Sequence, residues 1–264
     1  MSDPPASLSP GRLTEIVDIG ANPIDGDPPY KAMLQAGLCR VTGFEPQERA
    51  LAELEARRGP NERYLPYVIA DGNPQTLHIC RYSGLSSLLE PNRAVTDLYR
   101  DLGPNSEVIE RRDGLQTRRL DDLTEIERID LLKIDVQGSE LLIFQNGRKL
   151  LSRAVAVQTE VSFLPIYHGQ PSHGEIDVEL RALGLLPHRY IHAKTFAMVG
   201  RDEFSRQLID GDLLYLRDFT RPDLMDDDQL EQLAAICRHC YDAPDVARHC
   251  LRVLEARKRA PSSR

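Results

Sequence analysis

The strongest constraint in this 264-residue chain is a rhythm in which short apolar runs alternate with helix-patterned stretches, and the runs close on an acid. Residues 15–20 are β-rich and end in Asp18-Ile-Gly20. Residues 28–37 read as a helix, with proline near the start and glycine at the end. Residues 40–44 form a second strand closed by Glu45-Pro46, and residues 47–58 a helix stopped at Gly59-Pro60. Residues 64–70 are a third strand closed by Asp71-Gly72. A β-α-β-α-β order with short connections predicts a parallel sheet with crossover helices.

The rhythm breaks over residues 73–120. That stretch reads as strand (76–80), a Ser/Gly loop (83–87), a polar helix (92–102) and strand (115–120). We expect an insertion over the sheet edge. The rhythm resumes with strand 129–136, helix 139–151, strand 154–161 and helix 173–183. Strands 185–192 and 212–217 follow, the last antiparallel, after an irregular segment 196–211. The predicted fold is α/β, with a mostly parallel seven-stranded sheet. Domain limits are residues 12–220 for the main domain, with the insertion at 73–120. Residues 221–259 form a helical C-terminal extension, and 1–11 and 260–264 are expected to be disordered.

In an open parallel sheet, ligands bind at the carboxyl ends of the strands. Five successive strand ends carry an acid here: Asp18, Glu45, Asp71, Asp135 and Glu160. One such acid could simply cap the next helix. Five together point to a ligand, and not to a pyrophosphate, which they would repel. The first loop, running from Gly20-Ala21-Asn22 to Gly26, fits neither a dinucleotide fingerprint nor a P-loop. A cation that also offers hydroxyls and an amine suits this rim better. S-adenosylmethionine has a sulfonium, an ammonium, a ribose diol and an adenine amine. Glu45 is placed to take the ribose hydroxyls and Asp71 the adenine amine, and Gly20 lets the backbone approach closely.

The segments Val17-Asp-Ile-Gly-Ala-Asn22, Gly43-Phe-Glu-Pro46 and Leu132-Lys-Ile-Asp-Val-Gln-Gly-Ser-Glu140 resemble the FkbM family of S-adenosylmethionine-dependent methyltransferases. The resemblance runs from about residue 15 to 218. It implies a Rossmann-like class I methyltransferase fold and O-methylation of a hydroxyl on a sugar, glycan or natural product. On this reading Asp18, Gly20, Ala21, Asn22, Glu45, Pro46, Asp71, Gly72, Ser87 and Asp135 hold the cofactor. Pro23-Ile-Asp25 intervenes before Gly26, where family members commonly have an earlier glycine. Two other functions compete with this one. A dinucleotide-dependent oxidoreductase lacks its glycine fingerprint here, and a degenerate binding module would not need all five acids.

Methyl transfer requires alignment of the reactants, and a hydroxyl acceptor must also lose a proton. Candidate bases are Asp135, Glu160, His168, His173, His188 and His192, of which His192 closes the sixth strand. Alternate residues of a strand share a face, so Lys133 and Asp135 point the same way. A lysine in a central strand is costly to bury unpaired. We expect Lys133 to pair with Asp135 or Glu160 beneath the cofactor.

Composition excludes little and adds some bounds. Forty-one acids against 33 bases give a net charge of −8, which argues against a nucleic-acid partner. No run approaches the ~18 apolar residues of a membrane span, and no leader sequence is visible. Five scattered cysteines suit reduced thiols in a cytoplasm. Cys237-Arg-His-Cys240 with His249-Cys250 matches no zinc spacing, so no metal is expected. The amphipathic tail suggests a homodimer formed through the C-terminal helices.

Overall fold

A computed structural model describes residues 10–22, 26–200 and 206–259. The expectations for residues 1–9, for Pro23-Ile-Asp25 and for residues 260–264 lie outside the described residues. The elements are, in order, β1 (Thr14–Ile19), α1 (Lys31–Gln35), β2 (Cys39–Phe44), α2 (Glu48–Arg57), β3 (Glu62–Leu65), β4 (Val68–Ile69) and β5 (Gln75–Cys80). Then come α3 (Arg93–Thr96), α4 (Leu102–Asn105), β6 (Val108–Leu115), β7 (Thr117–Arg118), β8 (Leu131–Ile134), α5 (Glu140–Gln145) and α6 (Arg148–Leu151). The chain continues with β9 (Ala156–Ser162), α7 (His173–Ala182), β10 (Leu185–Ala197), β11 (Arg206–Arg217), α8 (Asp227–His239) and α9 (Pro244–Arg259).

The main sheet has seven strands in the order β10-β11-β9-β8-β1-β2-β3. Strands β3, β2, β1, β8 and β9 run parallel, and β11 is antiparallel to both β9 and β10. This is the Rossmann-like, mostly parallel seven-stranded sheet expected from the sequence. Strand order reverses between β1 and β8, and that switch point opens a crevice at their carboxyl ends.

Alternation along the strands fills two apolar layers. Ile16, Val41, Leu131, Leu214 and Leu216 pack on one face against Met33 of α1 and the inner sides of α8 and α9. Val17, Phe44, Leu132, Val157 and Leu213 pack on the other face against Phe144, Leu151 and Leu180. The tail therefore is a layer of the domain itself. α1 has only five residues, and α8 and α9 cover the sheet where it cannot. Leu230, Leu233, Val246, Cys250 and Leu254, on the apolar sides of the helices expected to form a homodimer, are buried within the chain. Cys237 is likewise in that core, Cys240 Sγ lies 3.7 Å from Met33 Sδ, and His249 contacts the Phe219 carbonyl.

Several boundaries differ from the sequence expectation. Run 64–70 splits in two at Pro66, which has no N–H for the ladder: β3 stays in the main sheet, while β4 pairs with β7. Segment 92–102 is not one helix but the short turns α3 and α4. β6 pairs antiparallel with β5 across the intervening α3 and α4, and of the expected strand 115–120 only β7 and the end of β6 are extended. The segment 196–211 is not irregular throughout, because β10 and β11 extend into a long antiparallel pair. Extra residues in β10, at His188 and Ile191, and one in β11, at Ile209, shift the register and blur the period. Gly211 marks close backbone approach, since a Cβ there would stand 2.6 Å from the His192 carbonyl oxygen. Part of the insertion lies over the carboxyl rim: Tyr99 and Leu102 cluster with Ile166, Tyr167 and Ile209, with Leu85 and Leu89 packed alongside. Among the described residues, no helix is long and apolar enough to cross a membrane.

Candidate active site

The site is built where β1 and β8 end. Gly20 has φ +79°, and a Cβ there would fall 2.0 Å from the Asp135 carbonyl oxygen, so only glycine fits. The Gly20 and Ala21 N–H groups both donate to the Phe44 carbonyl, and the Asp135 N–H donates to that of Ile19. These bonds bring three strand ends together and open a cavity on each side of them.

The narrower cavity, about 110 Å³, is lined by Gly20, Phe44, Glu45, Pro46, Tyr67, Ile69 and Ser87. Tyr67 stacks on Phe44 with centroids 6.2 Å apart, and the Arg118 guanidinium lies 3.6 Å over the Tyr67 ring. Glu45 is only 2% exposed. One of its oxygens accepts the Gln47 N–H at 2.7 Å, and burial pushes its pKa up to about 7. An aromatic and aliphatic slot ending at a buried acid with acceptor capacity fits a nucleoside, with the base on the apolar wall and the ribose diol on the acid. The wider cavity, about 770 Å³, is lined among others by Ala21, Tyr30, Lys133, His192, Lys194 and Asp212. Asn22 and Asp135 line both cavities and mark where they meet.

The five rim acids divide. Asp18 is 2% exposed and lines the wide cavity, but its oxygens accept from Lys133 Nζ at 3.1 Å and Tyr30 OH at 2.7 Å. Lys133 thus pairs with Asp18, and not with Asp135 or Glu160 as expected. The cause is register, since Asp18 and Lys133 stand side by side on β1 and β8. Burial opposes the Lys133 charge, but the Asp18 and Asp135 carboxylates outweigh it and raise its pKa. Asp71 accepts from the Asn73 N–H, the Asn73 side chain and Gln75, which lowers its pKa. Neither Asp71 nor Gly72 lines the narrow cavity; Gly72, at φ +86°, packs beside Arg119. Glu160 is 5% exposed and lines neither cavity. Its oxygens accept from Lys194 at 3.0 Å and Gln137 at 3.0 Å, and burial and the Asp135 charge push its pKa well up. Glu45 and Asp135 are the two that face the cavities with an oxygen unclaimed by described residues.

Among the histidines, His192 is exposed and lines the wide cavity. His173 packs beside Phe163 and Tyr215, and His188 beside Phe219; neither lines a cavity, and nor does His168. Ser87 is buried; its hydroxyl donates to the Gln137 carbonyl at 2.6 Å and accepts the Leu89 N–H. Oxygens of Asp135, Glu140 and Glu160 come within 4.8 Å of one another, a spacing a metal could use. Protein donors already occupy that cluster: Glu140 accepts from the Val136 and Gly138 N–H groups, and Glu160 from Lys194.

Sequence reasoning missed Lys194 and Asp212. Asp212 sits on β11 opposite both Glu160 and His192 and lines the wide cavity. Its carboxylate makes no hydrogen bond or ion pair with a described residue, and burial together with the Asp135 charge raises its pKa. The signal was present. An antiparallel strand presents its beginning, not its end, at the carboxyl rim of its neighbours.

The family model described as "Methyltransferase FkbM domain" matches residues 18–186. The 2-O-methyltransferase NoeI of Sinorhizobium fredii (strain NBRC 101917 / NGR234) is 31% identical over 182 residues, covering 65% of this chain and 70% of that protein. Among solved structures, the magnesium protoporphyrin IX methyltransferase ChlM of Synechocystis PCC 6803, with bound SAM, is 13% identical with a TM-score of 0.39, covering 79% of this chain and 71% of that one. A precorrin-6y C5,15-methyltransferase of Geobacter metallireducens GS-15 is 12% identical with a TM-score of 0.38, covering 78% and 81%.

Proposed function

Since this chain belongs to the FkbM methyltransferase domain family, we propose that it methylates a hydroxyl of an uncharged sugar, glycan or related polyol with S-adenosylmethionine as the donor. The observation that carries this reading is the junction of two unlike cavities at Asn22 and Asp135. The narrow one suits the adenosyl group, with Glu45 accepting from the ribose hydroxyls and Phe44, Tyr67 and Ile69 against the base. The donor, when bound, supplies a methyl group already activated on a sulfonium.

The rest falls to the protein. Asp135 presents an acceptor oxygen at the junction, where a cationic centre is favoured. The wide cavity holds the acceptor. Its walls carry both signs, with Lys31, Arg57, Lys133 and Lys194 beside Asp18, Asp27, Glu53, Glu62, Asp135 and Asp212. Such a mixed lining, rich in both donors and acceptors, suits an uncharged molecule rich in hydroxyls. Asp212 takes the hydroxyl proton: its carboxylate has no competing donor among described residues, and Lys133 and Lys194 near it stabilise charge as the proton moves. Glu160, held by Lys194 and Gln137, is structural in this scheme, and His192 sits at the cavity mouth.

The test is transfer of an isotopically labelled methyl group to a panel of neutral glycosides, acidic sugars and simple alcohols, read by mass spectrometry. Labelling of neutral glycosides at a single hydroxyl is expected. Labelling confined to the acidic sugars, on a hydroxyl or on the carboxylate, would overturn the reading.

A further inference from the structure

We infer that Gln137 is a positioning residue, one whose side chain fixes the Asp135 carboxylate at the junction of the two cavities and ties it to the segment covering the narrow one. The inference rests on the donor assignment proposed above.

Gln137 follows β8 with φ +58°, a left-handed conformation that a non-glycine residue adopts only when its surroundings hold it there. Its side-chain amide nitrogen donates to Asp135 Oδ1 at 2.6 Å and to Glu160 Oε2 at 3.0 Å. Its side-chain oxygen accepts from Tyr167 OH at 3.1 Å, and its main-chain carbonyl accepts from Ser87 Oγ at 2.6 Å. Tyr167 OH also lies 3.0 Å from the Leu85 carbonyl. Ser87 and Leu85 belong to the insertion, and Ser87 lines the narrow cavity. One residue thus joins the covering segment to the carboxylate at the junction.

The chemistry calls for an amide. Asp135 and Glu160 stand close enough to repel, and a neutral NH₂ group gives each of them one N–H without adding charge. Glu160 is anchored from its other side by Lys194, so the amide is held from behind and Asp135 Oδ1 is pinned. Asp135 Oδ2 has no hydrogen-bond partner among the described residues and stays open to the cavities. A glycine at 137 would suit the backbone better, yet would leave Asp135 free to rotate.

The experiment is calorimetric titration of the full chain with adenosine, S-adenosylhomocysteine and S-adenosylmethionine. The variants are Asp135→Asn, Gln137→Met and Gln137→Gly, the last relieving the left-handed backbone so that folding is retained. Adenosine fills the narrow cavity, which Asp135 and Gln137 also line, but brings no cationic centre for Asp135 Oδ2 to meet, whereas S-adenosylmethionine brings one. Both Gln137 variants should keep adenosine affinity within about two-fold and lose about ten-fold for S-adenosylmethionine, following Asp135→Asn. Unchanged S-adenosylmethionine affinity in both would overturn the inference. Equal losses for all three ligands would also overturn it, since they would mark a merely structural role. A wild-type protein that binds none of the three would overturn the donor assignment, and this inference with it.

Discussion

Removing Lys133 should destabilise the fold in a way that removing its partner as well repairs. Asp18 is 2% exposed, and two donors hold it, Lys133 Nζ at 3.1 Å and Tyr30 OH at 2.7 Å. In Lys133→Met the carboxylate keeps Tyr30 but loses its counter-charge. Breaking a buried pair on one side costs about 3–5 kcal/mol, because an uncompensated charge remains. The Lys133 side chain is 19% exposed, so some solvent reaches the pair. About 2–4 kcal/mol is therefore expected, or a fall in Tm of roughly 4–16 °C for a chain of this size. Replacing both partners by neutral groups of similar shape is often nearly neutral. The double variant Asp18→Asn/Lys133→Met should accordingly recover most of the loss. Urea denaturation of wild type, both single variants and the double gives the coupling directly. A Lys133→Met protein as stable as wild type, or a double variant whose loss equals the sum of the singles, would refute the pairing.

Three further outcomes follow from the same geometry. Asp212→Asn should lower kcat by about 10²–10⁴-fold while leaving S-adenosylmethionine affinity within two-fold, as initial rates and calorimetry would show; a retained kcat would move the base elsewhere. Burial pushes the Glu45 carboxyl up to about 7, well above the ordinary carboxylate range near 4.5. The folded state therefore binds the extra proton between those values, and stability falls as pH rises through that window. Glu45→Gln should be more stable than wild type at pH 8, by an amount on the order of 3 kcal/mol, with the difference gone near pH 4; parallel melting curves at the two pH values check this, and equal gains at both would contradict it. Leu233→Ala, in α8 on the apolar face of the sheet, should cost about 2–5 kcal/mol in a urea melt, whereas a wild-type midpoint would mean that the tail is not a layer of the core.

How far the site could be read from the sequence turns on what a strand end conceals. The parallel sheet was legible because each strand carried its own apolar run and its own stop. The acids at those stops were legible as residues but not as free groups. Asp18 looked open, yet its neighbour in register on β8 is Lys133, and register between distant strands is not written in either strand alone. Asp71 looked like an adenine contact, yet Asn73 and Gln75 fold back onto it within a single turn. Glu160 is answered by Lys194, which lies beyond the expected end of its strand because the bulges of β10 hide the alternation. The rim is therefore far less negative than its sequence suggested, and the preference for a cationic ligand narrows to Asp135. The amphipathic helices of the tail showed that an apolar face had to be covered. Only the shortness of α1 shows that the surface they cover is the sheet of their own chain.

On the proposed function, donor and acceptor meet at Asn22 and Asp135. A crystal structure of the complex with S-adenosylhomocysteine tests it most directly. Adenosine should lie between Phe44, Tyr67 and Ile69, with its ribose hydroxyls on Glu45 and the sulfur opening toward Asp135 and the wide cavity. Adenosine lodged among Lys133, His192 and Asp212, or a sulfur facing away from Asp135, would contradict it.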